Sequence, residues 1–134
     1  MSWARRTARR VAATVTVIGA MTLVAGCSGA GSAYCDTLTE NSATSATVFT
    51  PVIPGMTTSA EVDTRLALLD EVGDDVPEDL RSDFDAWQAH LEEARDLLDS
   101  DEAGAANEVL SSADAGAREA GERLADHYIG TCMA

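Results

Sequence analysis

Three cysteines, two histidines and 23 acidic residues are the side chains in this 134-residue chain that could do chemistry. Neither His90 nor His127 has a second histidine four residues on or a serine nucleophile motif beside it, so no zinc-helix or hydrolase pattern forms around them. His90 falls on the polar side of its predicted helix, three residues from Trp87, and His127 stands beside Tyr128 at the end of the last apolar stripe. Both read as surface or edge-of-core histidines. Adjacent acids such as Asp74-Asp75 and Glu92-Glu93 arise from abundance. A general acid needs a carboxyl raised in a dry pocket, which composition does not supply. The run Asp99-Ser100-Asp101-Glu102-Ala103-Gly104 echoes the opening of a calcium loop, with acids at positions one and three and glycine at six. Ala103 replaces the position-five ligand and Leu110 stands where the bidentate glutamate belongs, so the run reads as a turn between helices. No glycine-rich phosphate loop, zinc spacing or basic-aromatic stripe occurs. The expectation is a protein with no catalytic residue, metal or cofactor: not an enzyme.

Charge narrows the partners. Nine basic residues and 23 acidic ones give −14, and no lysine occurs. Four of the nine (Arg5, Arg6, Arg9, Arg10) precede an uncharged, mostly apolar run over residues 11–25, in a leader without acids. From residue 27 onward, five basic residues face 23 acids, a net charge of −18. That field repels phosphate backbones, which argues against nucleic acid. The acids read as a solvated surface, with a cationic partner as the functional alternative.

The leader itself has the layout of an export signal. Its apolar run of 15 residues is shorter than the roughly 20 needed to span a bilayer. It ends in Leu23-Val24-Ala25-Gly26-Cys27-Ser28: a branched apolar residue, two small ones, then cysteine. This resembles the lipobox of bacterial lipoproteins. The resemblance implies a lipid on the Cys27 sulfur, cleavage after Gly26 and anchoring to the outer face of the cell membrane, where two or three acyl chains hold firmly. The arginine pairs hint at twin-arginine export, but Arg9-Arg10 is followed by Val-Ala-Ala, which favours the general secretory route.

With Cys27 lipidated, Cys35 and Cys132 remain in a compartment that permits disulfides. A bridge between them would tie the first helix to the end of the chain. The alternative, two free thiols serving a metal or redox centre, lacks a Cys-x-x-Cys spacing or a histidine close by in sequence.

Three regions follow: a signal peptide over 1–26, the lipidated cysteine with a flexible tether over 27–33, and an acidic domain over 34–134. The domain reads as all-α. Tyr34, Leu38 and Phe49 mark a first helix whose second half, 41–47, is poor in strong helix formers. Prolines at 51 and 54 with Gly55 break it, in a loop whose Phe49, Val52, Ile53 and Met56 are unusually apolar. The loop is either a bundle cap or a partner-contacting surface. Thr58-Ser59-Ala60-Glu61 has capping-box spacing ahead of Val62, Leu66, Leu69 and Val72. Pro77 opens a third helix striped by Leu80, Phe84, Trp87, Leu91, Ala94 and Leu98. A last helix, from after Ser100 to Ile129, carries Ala106, Leu110, Ala113, Ala117, Ala120 and Leu124, with Gly104, Gly116 and Gly121 lowering its intrinsic stability. An up-and-down bundle of about four helices follows. Tyr34-Cys35-Asp36 after the tether, a Pro-Glu-x-Leu helix opening with a Trp inside it, and Cys132 near the end are similar to small helical lipoproteins of high-GC Gram-positive bacteria, a likeness that brings no known activity.

The function expected is that of a membrane-anchored, extracytoplasmic binding or accessory module of the cell envelope, meeting an envelope protein or cationic partner. The alternative is a carrier for a small apolar ligand held between helices.

Overall fold

The computed structural model describes residues 30–100, 104–112 and 115–134. Cys27 and the whole signal-peptide region lie outside the described residues, as do Asp101, Glu102 and Ala103 of the calcium-like run and Ala113 of the last stripe.

Six α-helices and no strand occur among the described residues: α1 (Ala30–Glu40), α2 (Ser42–Val48), α3 (Ser59–Val72), α4 (Arg81–Asp99), α5 (Ala105–Ser112) and α6 (Ala115–His127). They make the four legs of a small up-and-down bundle, α1 with α2 forming the first leg and α5 with α6 the last. α2 packs on α3, α3 on α4, and α4 on both α5 and α6, while α1 closes against the turn that ends the chain.

The first leg starts four residues earlier than Tyr34, at Ala30, so part of the expected tether is helical. Alanines at 30 and 33 favour this, and α1 is fastened downstream by its disulfide. The leg bends at Asn41, whose Nδ2 donates to the Thr37 carbonyl at 2.9 Å. Ser45 Oγ donates 2.7 Å to the buried Leu38 carbonyl, satisfying an oxygen near the bend. The bend falls where strong helix formers run out.

α3 begins with the capping box its spacing announced. Thr58 Oγ1 accepts from the Glu61 amide at 3.2 Å, and the Thr58 amide donates 2.7 Å to the Glu61 carboxylate. Val62, Leu66, Leu69 and Val72 are buried as expected, and Leu68 joins them. α4 opens through a short 3-10 turn, Glu78–Leu80, after Pro77. It is the central helix, and Leu80, Phe84, Trp87, Leu91 and Ala94 all lie in the core, with Leu98 packed at its edge.

Two expectations need correction. His90 is buried rather than on a polar side. α4 is flanked by α3 on one side and by α5 and α6 on another, so its buried band is wider than one stripe. The last helix, described as α5 and α6 on either side of residues 113–114, ends its α-helical part at His127 rather than Ile129, before a π-helical turn, Tyr128–Cys132. In α5, Ala105 and Val109 are buried.

Candidate functional site: an apolar groove beside the closing disulfide

The apolar loop divides between inside and outside. Phe49 and Val52 are buried in the core, whereas Ile53 is 47% and Met56 78% exposed. Four residues offered as a partner-contacting set are thus two core anchors and two surface side chains. Pro54-Gly55 makes the turn responsible: Gly55 takes φ +81°, and the Ile53 carbonyl accepts from Met56 and Thr57 amides at 3.0 and 2.8 Å. The buried Arg65 of α3 pins the loop's start by donating 3.0 Å to the Thr50 carbonyl. Burial lowers the Arg65 pKa and the Glu61 carboxylate partly restores it.

Beside this loop runs a groove of about 440 Å³. One wall is Ser42, Ser45, Ala46, Phe49 and Thr50, from α2 and the residues after it. The other is Ala125, Tyr128, Ile129 and Met133, from the end of α6 and the closing turn. Ile129 and Met133 are each more than 60% exposed. Two hydroxyls of the wall are engaged within the chain: Ser45 Oγ donates to the Leu38 carbonyl and Thr50 Oγ1 donates 2.7 Å to the Thr47 carbonyl. Such a surface gains by covering carbon, and its volume lies within the range of small-ligand sites.

A second, more polar groove of about 490 Å³ lies between α4 and α6. Asp83 within it is gripped by Arg123, whose Nε donates to it at 2.8 Å. That guanidinium holds the Asp83 carboxyl below the usual range, so Asp83 is ionised at neutral pH and unsuited to general-acid work. His90 shares this groove, its ring 5.3 Å from that of Trp87.

Cys35 and Cys132 form the expected disulfide, with Cα atoms 4.8 Å apart across 97 residues of sequence. His127 stands with them, which sequence reasoning overlooked. It lies five residues before Cys132, and the closing turn brings Cys35 Sγ, Cys132 Sγ and an imidazole nitrogen within 4.8 Å of one another. The His127 ring also faces Tyr34, with centroids 6.0 Å apart, and burial raises the Tyr34 pKa well above the ordinary phenol range.

The chain matches no protein-family model, no curated protein and no solved structure. No helix among the described residues is long and apolar enough to cross a membrane.

Proposed function

We propose that the protein is an extracytoplasmic lipoprotein, anchored to the cell membrane through Cys27, whose acidic bundle is a non-enzymatic binding or accessory module of the envelope. The observation that carries the reading is the cysteine count. Of three cysteines, Cys35 and Cys132 bond each other, and the third is the one that ends Leu23-Val24-Ala25-Gly26-Cys27. Intact-mass analysis of protein isolated from its native host tests the address. An N-terminus at Cys27 carrying added fatty mass is expected; any other N-terminus, or no added mass, refutes it. Crosslinking in membranes followed by purification tests the binding role, with an envelope protein or cationic partner expected.

The apolar groove favours a second reading, a carrier for a small apolar ligand. Its lining is largely carbon and two of its hydroxyls, on Ser45 and Thr50, are engaged within the chain, which suits an uncharged apolar guest. In that case a lipid or metabolite co-elutes with the protein in native mass spectrometry. Ala46→Trp, which fills the groove from an exposed position, then removes it.

A further inference from the structure

We propose that Cys35, Cys132 and His127 form a zinc site when the disulfide is reduced, so that the same corner of the bundle closes either by a covalent bond or by a metal ion. Two sulfurs and an imidazole nitrogen already lie within 4.8 Å of one another. Ligands of a tetrahedral zinc, at about 2.0–2.3 Å from the metal, stand roughly 3.5–4 Å apart, so small side-chain rotations suffice. His127 Nε2 is buried without a hydrogen-bond partner among the described residues, as is the Tyr34 hydroxyl whose ring faces it. An unpartnered buried nitrogen on the histidine that stands with two sulfurs is costly as it is, and metal coordination is one way to satisfy it. Both cysteines are only partly buried and Cys132 lies in a turn followed by exposed residues, so a reductant has access.

The chemistry balances with a dithiol as reductant. Its two thiols become a disulfide while the Cys35–Cys132 bond takes up two electrons and two protons. Zinc binding then releases both thiol protons, leaving two thiolates and a neutral imidazole on the metal, with water in the fourth position. The ion would take over the disulfide's mechanical role, holding α1 to the closing turn. This inference does not depend on lipidation of Cys27.

Cobalt(II) is the probe. The full chain in detergent, reduced with a phosphine and titrated, is expected to bind one equivalent with thiolate charge-transfer and tetrahedral ligand-field bands that the oxidised protein lacks. His127→Ala should weaken binding about tenfold or more, and its oxidised form, disulfide intact, is the folding control. Cys27→Ser should leave the bands unchanged, which excludes the leader cysteine as the ligand. Zinc should displace cobalt and raise the melting temperature of the reduced chain by at least about 5 °C. No thiolate band, a band indifferent to His127→Ala, a band lost in Cys27→Ser, or no thermal gain with zinc would each overturn the site.

Discussion

At Gly121, α6 comes so close to Trp87 that a Cβ there would lie 2.7 Å from the indole Cζ3. A glycine that weakens its helix in isolation is therefore what allows α6 to lie this close to the Trp87 ring. Gly121→Ala should lose about 1–3 kcal/mol in urea unfolding by overpacking. Gly73→Ala, where an added Cβ meets nothing and φ is helical, should stay within about 0.5 kcal/mol of the parent. Equal effects at the two positions would refute the contact. The indole is held at its other edge by Nε1 donating 2.9 Å to the buried Val48 carbonyl. Trp87→Phe should cost about 1–3 kcal/mol, since the carbonyl is left unsatisfied. Neither interaction can be read from helical periodicity, which places Trp87 in the core without saying what it meets.

The elements obey local rules where those rules are strong. Thr58 and Glu61 were legible as a capping box, and Thr58→Ala should cost about 0.5–2 kcal/mol. Hydrogen bonds from the Thr58 amide and hydroxyl lower the Glu61 pKa. A depressed folded-state value means the carboxylate stabilises the fold above its unfolded pKa and loses that effect as pH falls through the folded one. Acid titration of stability should therefore be shallower in Glu61→Gln than in the parent, from the ordinary glutamate range downward. An identical acid slope in the two proteins would exclude the cap as a source. The breaks within helices were less legible. Bending at Asn41 and the π-turn after His127 depend on which carbonyls and side chains the neighbouring elements leave free, and weak propensity over 41–47 only permits such a bend.

Across the whole molecule, the disulfide joins the first helix to the last turn over 97 residues of sequence. Chain entropy assigns such a closure about 4–5 kcal/mol, a large share of a small domain's stability. Reduction in the absence of metal, or Cys35→Ser, should lower the unfolding free energy by about 2–5 kcal/mol. A loss below about 1 kcal/mol would mean that packing of α1 on α3 already closes the bundle unaided.

Composition and spacing alone determined the acidic character, the lipobox-like leader and the all-helical class with most of its core. These are properties of residue type and of periods along one chain. Tertiary structure decided the rest. It buried His90, because α4 is covered on more than one side. It sent Phe49 and Val52 inward while leaving Ile53 and Met56 out, because a proline-glycine turn reverses the loop. It made the groove and gathered His127 with the two cysteines. Those features join segments up to about a hundred residues apart, and only the packing of helices specifies which distant side chains meet.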